Sequence, residues 1–501
     1  MSTIPSIAMI PSGYKANKVY SVLPTDGAAD LTFARTSSAN RVNSNNLIEE
    51  VATGVPRLDY TDGTCPSLLL EPQSTNLITY PLSFGSNYWT KSGASIEGDS
   101  STAGVEKVTN GDFATDSDWS KGTGWTISGG NASVDTASTV GLSQAISAVS
   151  GSIYTVVVEM SNYTSGSLQL QFGSQIIDTE SANGKYVYTV TSTTTNPTFY
   201  LYAVGDSEFS IDDVSVKEVQ GFSAPSVDNP TSAFKLVATA NNALLNKTPT
   251  GTSGIDYTNS IYVKRVSGSG DVFLRNVNNT NILLDLSTEW KRFDASIIST
   301  STFSRFTIEI ATIGDEIMVF GAQQEQLSHS TSLMLPAVEG STVTRVAETA
   351  SKTGLASYIN SEEGVLYAEI SALFDDGKNK YITISDGGTQ NAIRFYFSST
   401  SKQIVARYYV GNAVKANLYY ILSDSTIFNK IAFKFKVNDF ALWVNGNEVQ
   451  TDLDGNVNPS NTFNRIDFNL GGNNYFEGNV KDLRIYKTAL SDSELVTLTT
   501  I

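Results

Sequence analysis

The chain has 501 residues, of which 40% are hydrophobic and only 17% are charged, with 33 Lys and Arg against 50 Asp and Glu. The formal net charge of −17 argues against binding to nucleic acid or anionic lipid through counterion release, and no apolar run is long enough to insert into a membrane. The single cysteine, Cys65, excludes an intrachain disulfide, and we expect it to be a buried or semi-buried structural thiol and not a nucleophile. Residues 1–20 lack a basic segment followed by an apolar run, so we expect no signal peptide.

The first region, residues 1–75, contains short apolar runs separated by polar turns. The stretch "ADLTFARTSSANRVN" predicts a strand followed by a basic turn, and "VPRLDY" and "SLLLEP" predict buried strand edges. A later segment, "PAVEGSTVTRVAE" at 336–348, shares the Thr-Arg character of residues 35–42, so we expect these two segments to pair. We assign residues 1–75 to assembly or attachment.

Two similar stretches follow, and each predicts the start of a β-sandwich of the same kind. They are "FGSNYWTKSGASI" at 84–96 and "VTNGDFATDSDWSKGTGW" at 108–125, and the first leaves too little chain to complete a domain before the second begins. The strands missing from the first come later. The run "SGIDYTNSIYVKRVSGSGDVFLRN" at 253–276 matches "SGSIYTVVVEMSNYTSGSLQLQFG" at 150–173, and residues 288–327 match 183–219.

The nested order of these matches predicts an insertion of one sandwich into a loop of another. Insertions succeed at exposed loops because the termini of a sandwich often lie close together. We therefore predict an outer jelly roll formed by residues 76–105 and 220–349, with an inserted jelly roll at 106–219. Gly, Ser and Pro are frequent at both joints, as expected for loops.

Residues 350–501 alternate with period two and predict a third sandwich. In "FALWVNGNEVQ" the Asn445-Gly446 pair predicts a tight type I′ hairpin turn. Ser491 and Glu494 predict a capping box at the start of a short helix. This hairpin and the ending "GNVKDLRIYKTALSDSEL" resemble concanavalin-A-like jelly rolls of the laminin-G type, a fold that serves lectins, adhesion modules, enzymes and spacers. The predicted fold class is all-β, with several jelly-roll sandwiches.

The N-terminal segment, the "YWTK" opening, "FGAQQEQLSHSTSLMLPAVEGSTVTRVAE" and the laminin-G-like end together resemble bacteriophage fibre or virion structural proteins of Bacteroidetes-type phages and prophages. The nested middle resembles carbohydrate-binding-module jelly rolls. The resemblance implies a subunit of the virion, assembled with other virion proteins in the host cytoplasm, often as a homotrimer. It also implies that sugar-binding folds are displayed towards host cell-surface polysaccharide.

Catalytic chemistry is not indicated by the sequence. The single histidine, His329, lies in the polar stretch "QLSHSTS" without a nucleophile motif, and we expect a solvated loop residue. One His and one Cys cannot supply the usual ligands of zinc. The Glu-x-Asp-x-x-Glu motif of concanavalin-A-like glucanases does not occur, nor does a Gly-rich phosphate loop. We predict a protein without enzymatic activity.

One candidate metal site lies in the inserted module, although no cofactor is required by the sequence. Asp112 lies near its first strand, and Asp212 and Asp213 lie on its last strand. In the resembled jelly rolls these strands are neighbours, and similar acidic positions hold a structural Ca²⁺. The outer copy has Gly321 and Ala322 in place of the last two. The alternative is that Asp112 caps a turn and that one of the other two is solvated.

Sugar binding usually needs an aromatic face with amide or carboxylate groups beside it. For each candidate aromatic residue, packing in the core is the alternative, and this is what we expect of Trp89 and Trp443. The candidate platforms are Trp119, Trp125 and Tyr163 in the inserted module and Tyr408, Tyr409 and Tyr475 in the C-terminal region.

The sequence therefore predicts a phage fibre or appendage subunit that serves structural display and host-glycan adhesion. Two alternatives stay open. One is a purely structural head or tail decoration protein without a ligand, and the other is a glycan depolymerase.

Overall fold

The computed structural model describes residues 3–501, and the side chains of all of these except residues 100–103. Across that range the chain forms 40 strands and a single α-helix, which confirms the prediction of an all-β protein. The alternation of apolar and polar residues explains this, because it suits strands that bury one face. No helix in this range has the length and apolar character needed to cross a membrane.

The strands that precede the first predicted joint are β1 (Ile7–Met9), β2 (Tyr14–Lys15), β3 (Lys18–Val19), β4 (Leu31–Ala34), β5 (Ala39–Val42), β6 (Ile48–Val51), β7 (Arg57–Asp59), β8 (Ser67–Leu70), β9 (Ser74–Asn76), β10 (Thr90–Ser92) and β11 (Ala94–Glu97). The next group is β12 (Asp99–Glu106), β13 (Ser120–Lys121), β14 (Trp125–Ser128), β15 (Asn131–Thr136), β16 (Val140–Ala145), β17 (Ile153–Phe172), β18 (Gln175–Glu180), β19 (Gly184–Thr191) and β20 (Thr198–Gln220).

The third group is β21 (Phe234–Ala238), β22 (Ala243–Lys247), β23 (Asp256–Ser267), β24 (Val272–Arg275), β25 (Asn281–Leu283), β26 (Lys291–Ile298), β27 (Phe306–Ile310) and β28 (Glu316–Glu325). The last group is β29 (Val343–Arg345), β30 (Thr349–Thr353), β31 (Glu363–Ala372), β32 (Lys380–Ser385), β33 (Ala392–Phe397), β34 (Gln403–Val410), β35 (Ala413–Ile421), β36 (Asn429–Lys436), β37 (Phe440–Val444), β38 (Asn447–Asp452), β39 (Arg465–Asp467), β40 (Gly478–Tyr486) and α1 (Asp492–Thr499).

The largest sandwich contains strands from both ends of the chain. One sheet has the order β38-β37-β36-β31-β40-β8-β7, with β1 also paired to β40, and the other has the order β2-β3-β4-β30-β39-β32-β33-β34-β35. Their facing side chains form one core, in which Phe33 and Leu68 belong to the same cluster as Phe433 and Ile485. Residues 1–75 therefore supply strands to the C-terminal sandwich, and their assembly or attachment role stays a prediction.

The repeated strands form two further sandwiches. Sheets β10-β22-β27-β24-β25 and β11-β21-β28-β23-β26 enclose a core that contains Trp89 and Phe306. Strands β12–β20 pair only with one another among the described residues and enclose a separate core. The long strands β17 and β20 pair with each other from Tyr154 and Glu218 to Phe172 and Phe199. Asp99 and Gln220, the first and last residues of the β12–β20 unit, are paired in register, so the two ends of this unit are adjacent.

Several local predictions are tested directly by the backbone. Asn445 and Gly446 both have positive φ, as the predicted hairpin turn requires, and the capping box between Ser491 and Glu494 is present. The expected burial of Cys65 is wrong, because it lies exposed in the polar turn between β7 and β8.

The predicted pairing of residues 336–348 with 35–42 is also wrong. Strand β29 pairs with β9 instead, and no strand ladder joins the two predicted segments, which meet through hydrogen bonds that involve side chains. Arg35 Nη1 lies 2.7 Å from Glu348 Oε1 in a fully buried ion pair. The shared Thr-Arg character therefore reflects two arginines, Arg35 and Arg345, that lie in the same buried group of ion pairs. It does not indicate strand pairing.

These arginines belong to a buried ionic cluster that we call the arginine cluster, formed by Arg35, Arg57, Arg345, Glu71 and Glu348. Arg57 Nε donates to Glu348 Oε1 at 2.9 Å and its guanidinium also pairs with Glu71, which Arg345 Nη1 approaches at 2.7 Å. Burial acts to raise the pKa of Glu71, but Arg345 and Arg57 outweigh it and hold that pKa far below its usual range. The cluster therefore ties the N-terminal strands to the segment that joins the outer and C-terminal sandwiches.

Candidate functional site

The two predicted tryptophan platforms of the inserted module lie in its core. Trp119 Nε1 donates to the carbonyl of Asn110 at 3.0 Å, and Trp125 Nε1 donates to the carbonyl of Val140 at 3.3 Å. Both rings are buried, so neither offers a face to a sugar. Tyr163 is half-buried, and its hydroxyl donates to a backbone carbonyl of the neighbouring turn.

The predicted tyrosines of the C-terminal sandwich are divided among different environments. Tyr408 is a core residue whose hydroxyl donates to the carbonyl of Ser361. Tyr409 lies on the opposite face of β34, but the guanidinium of Arg394 sits 3.8 Å from its ring centroid and covers it. Tyr475 is half-buried in the loop between β39 and β40. Tyr163 and Tyr475 thus keep accessible surface, and the other four candidates are buried.

The predicted calcium residues lie on neighbouring segments of the inserted module, and the calcium site stays a prediction. The backbone N–H of Val214 donates to the carbonyl of Gly111 at 2.8 Å, so the first and last segments of the module are adjacent, as expected. Asp112 and Asp213 are exposed, and Asp212 Oδ1 accepts the N–H of Asp213. Within residues 3–501 no group of three or more His, Cys, Asp or Glu side chains is placed to hold a metal ion.

The expectation that His329 is solvated is wrong. Its ring is buried and stacks on Phe374, with centroids 4.8 Å apart and planes 23° apart. Burial lowers the pKa of its imidazole, although the nearby Asp376 acts in the opposite direction. Phe374 belongs to the C-terminal sandwich and lies far from His329 in the chain, so the polar sequence around His329 gives no sign of this contact.

A pair of tyrosines absent from the sequence-based candidates lies on the open face of the inserted module. On β20, Phe199 and Leu201 point into the core, which leaves Tyr200 and Tyr202 on the opposite face. The two rings are nearly parallel, with centroids 5.1 Å apart and planes 14° apart. Both side chains are half-buried, so part of their aromatic surface remains accessible. We call this surface the tyrosine face.

Amide side chains flank the tyrosines on one side. Gln171 on β17 is paired in register with Tyr200, and Gln169 is paired with Tyr202. Among the residues whose side chains the structure describes, neither glutamine amide nor either tyrosine hydroxyl has a hydrogen-bond partner. Each amide supplies two donors and an acceptor, so the tyrosine face has unused hydrogen-bonding groups next to its aromatic surface.

Small residues flank the tyrosines on the other side. Ser143 on β16 is paired with Tyr200, and Gly141 is paired with Tyr202. A Cβ atom at Gly141 would lie 3.0 Å from Cε1 of Tyr202. Because glycine has no side chain, the ring of Tyr202 can pack against the backbone of Gly141. The strand pairing and Gly141 together fix the position of the tyrosines on the sheet.

The outer sandwich has no equivalent of the tyrosine face. Strand β27 corresponds to the start of β20 in the repeat, and its outward residues are Thr307 and Glu309. Both are buried, and Glu309 accepts a hydrogen bond from Arg275 Nε at 3.0 Å. An internal ion pair therefore fills the position that the tyrosines occupy in the inserted module.

Residues 370–496 match a family model described as the concanavalin A-like lectin/glucanases superfamily. This C-terminal region is concanavalin A-like. The match runs from within β31 into α1, and it confirms the fold that the hairpin and the chain ending predict. The concanavalin A-like region also recruits N-terminal strands that the matched residues do not include.

Whole-structure similarity is weak. A tandem of two family 22 carbohydrate-binding modules from Paenibacillus barcinonensis Xyn10C shares 9% identity, with 45% of this chain and 98% of that chain covered and a TM-score of 0.23. A Trypanosoma rangeli sialidase, solved with sialic acid, shares 10% identity over 93% of this chain and 97% of that chain, also with a TM-score of 0.23. Scores this low do not indicate a shared function. No curated protein matches the chain significantly.

Proposed function

We propose that the protein is a non-catalytic glycan-binding subunit of a bacteriophage fibre or appendage. In this proposal the tyrosine face of the inserted module binds host-surface polysaccharide. The observation that carries the proposal is the near-parallel pair Tyr200 and Tyr202, half-exposed between free glutamine amides and small residues.

The chemistry of the tyrosine face fits a sugar chain. The apolar C–H faces of pyranose rings pack on aromatic surface, and the sugar hydroxyls take hydrogen bonds from amides. The side chains registered with the tyrosines are Gln169, Gln171, Ser143 and Gly141, and none of them is charged. An uncharged open sheet face therefore favours an extended neutral polysaccharide over a small charged ligand.

The topology supports a nested domain arrangement for display. Strands β10 and β11 pair with β22 and β21, whereas the strands between them pair among themselves. The adjacent ends at Asp99 and Gln220 attach the inserted unit at one point of the outer sandwich. In the proposed fibre, the outer and concanavalin A-like sandwiches carry the inserted module and expose its tyrosine face.

A hydrolytic role is less well supported than binding. Glu369 and Asp482 are paired in register on β31 and β40, beside Tyr367 and a cavity of about 600 Å³. Retaining glycosidases hold two carboxyl groups about 5 Å apart, so this pair has a suitable register. Both oxygens of Asp482, however, are bonded to Arg484, at 3.0 and 2.6 Å. A carboxylate held in this way is a structural partner and not a free acid or base.

The proposal is tested with the full chain on an array of bacterial capsule and surface polysaccharides. We expect binding to neutral polysaccharides without release of reducing sugar. Absence of binding to every glycan on the array would favour the purely structural alternative, and release of reducing sugar would favour the depolymerase.

A further inference from the structure

A cleft of about 520 Å³ lies where three parts of the chain meet. Its walls come from the β5–β6 hairpin, from β23 and the start of β26 in the outer sandwich, and from the edge of the concanavalin A-like sandwich. The hairpin is fixed to the connecting segment because Asn40 Nδ2 donates to the carbonyl of Leu333 at 2.7 Å. This volume lies within the range of about 300–1,000 Å³ that is typical of small-ligand sites.

The aromatic wall of the cleft is formed by Trp290 and Tyr262. Both pack against a small apolar cluster around Ile48 and Leu333 and both are half-buried. Lys264 Nζ lies 5.1 Å from the Trp290 ring centroid, which helps to hold the indole in place. The other four tryptophans are buried in cores, so Trp290 is distinguished by its accessible indole.

The polar wall of the cleft supplies both acceptors and donors. The carboxylate of Asp59 is fixed by the N–H groups of Val42 and Thr61, at 2.8 and 2.9 Å. Asp62 stands next to it, and burial together with the charge of Asp59 raises the pKa of Asp62. Across the cleft, Arg292 Nη1 donates to the carbonyl of Thr331 at 2.6 Å and Nη2 donates to Ser260 Oγ at 2.9 Å, and each of these nitrogens carries a second N–H.

The charges that line the cleft are balanced. Three cationic side chains face three acidic ones, which are Arg41, Lys291 and Arg292 against Asp59, Asp62 and Glu71. Such a lining gives no advantage to a strongly anionic or cationic ligand. Two lining residues connect the cleft to the arginine cluster. Glu71 is a member of the cluster, and Ser332 donates to Glu71 through its N–H and its hydroxyl.

We propose that this cleft is a second carbohydrate site, which takes the neutral mono- or disaccharide end of a glycan. One sugar ring packs on Trp290, the carboxylates of Asp59 and Asp62 accept its hydroxyls, and Arg292 donates to them. The cleft and the tyrosine face share no residue. The inference extends the ligand class of the proposed function but needs neither Tyr200 nor Tyr202.

The fluorescence of Trp290 gives a direct test on the full chain. We would titrate glucose, galactose, mannose, N-acetylglucosamine, maltose and cellobiose, with glucuronic acid as an acidic comparison, and follow intrinsic emission and its quenching by acrylamide. At least one neutral sugar is expected to shift the emission and to protect it from acrylamide. Trp290→Phe is expected to abolish this signal, while the Tyr200→Ala/Tyr202→Ala double variant retains it.

Calorimetry on a second variant keeps the outcome clear if emission alone is ambiguous. Trp290→Ala is expected to weaken binding of the active sugar by about tenfold, while Trp290→Phe keeps most of the affinity. Far-UV circular dichroism and the melting temperature confirm that both variants fold.

The proposal is overturned if no neutral sugar in the panel changes the emission, if only glucuronic acid does, or if the change survives in Trp290→Phe. Loss of the signal in the tyrosine double variant would also overturn it. Failure of the tyrosine face alone leaves the signal from the cleft intact.

Discussion

The rings of Tyr200 and Tyr202 lie 5.1 Å apart at an angle of 14°, on the face of β20 that points away from the core. A side chain that faces outward from a sandwich is normally polar, because exposed aromatic surface has a cost in water. Here two aromatic rings share that face next to unbonded amides, whereas the matching strand of the outer sandwich carries Thr307 and a paired Glu309. This difference between the two copies is the basis of the functional proposal.

Single substitutions should show that the two tyrosines contribute separately. Tyr200→Ala and Tyr202→Ala are each expected to weaken binding of the glycan identified on the array by about two- to tenfold, because one aromatic contact contributes about 0.5–1.5 kcal/mol. Isothermal calorimetry measures this loss. Tyr419→Ala, at another exposed tyrosine in the concanavalin A-like sandwich, is the matched control and should leave the affinity unchanged. An equal loss in the control would point to a global effect.

Gly141 should matter for binding although it offers no side chain to a ligand. Gly141→Ala places a Cβ atom 3.0 Å from Cε1 of Tyr202, so the ring must move by a few tenths of an ångström. We expect weaker glycan binding than in the wild type, by less than the loss in Tyr202→Ala, with an unchanged melting temperature. Ser143→Ala, at the neighbouring cross-strand position, adds no atom and serves as the control. Unchanged affinity in Gly141→Ala would show that the position of the ring is not critical.

The arginine cluster should be highly sensitive to the loss of one partner. Arg57→Met removes the guanidinium that Glu348 and Glu71 share and leaves buried carboxylate oxygens with fewer hydrogen bonds, and we expect a destabilisation of about 3–5 kcal/mol. Lys121→Met removes an ion pair with Asp116 at the surface and should cost about 1 kcal/mol or less. Calorimetric melting of the two variants compares them. Similar melting temperatures for both would contradict the structural role given to the cluster.

Stability should fall on mild acidification because of His329. Burial lowers the pKa of this group in the folded chain, so the folded state binds fewer protons than the unfolded state. Its contribution is therefore present above the ordinary histidine pKa, about 6.5, and is lost as pH falls below that value. We expect His329→Phe to reduce the fall in melting temperature between pH 7.5 and pH 5.5, relative to the wild type, by about 1 °C or more. An identical fall in both proteins would show that the histidine is not responsible.

The outer sandwich should fold without the inserted module. Asp99 and Gln220 are paired on adjacent strands, and such residues lie about 5 Å apart between Cα atoms. A short Gly/Ser linker in place of residues 99–220 can therefore close the loop at little cost. We expect this deletion variant to keep a β-type circular dichroism spectrum and cooperative melting. A variant that is expressed but shows no melting transition would contradict the nested arrangement.

The sequence predicts those features that local chemistry determines. The positive φ values of Asn445 and Gly446 follow from the need for a tight turn, and the capping box of Ser491 and Glu494 follows from the unsatisfied N–H groups at the start of a helix. Alternating apolar residues likewise identify the strands. These signals lie within a few residues of one another, so they do not depend on the rest of the fold.

The candidate sites depend on information that the local sequence does not contain. In "TFYLYAV" aromatic and aliphatic residues occupy both faces of β20, so alternation alone does not say that Phe199 is buried while Tyr200 is exposed. Trp119 and Trp125 lie in a polar stretch that looks like a loop, yet the fold buries them. The cleft around Trp290 joins segments far apart in the chain, and only the packing of the three sandwiches brings them together.

The most direct test of the central claim compares the full chain with its Tyr200→Ala/Tyr202→Ala double variant for binding to the polysaccharide selected on the array. Biolayer interferometry on immobilised polysaccharide measures both, with equal melting temperatures as the condition for comparison. We expect binding by the wild type and a loss of affinity of about tenfold or more in the double variant. Equal affinity of the two proteins would contradict it.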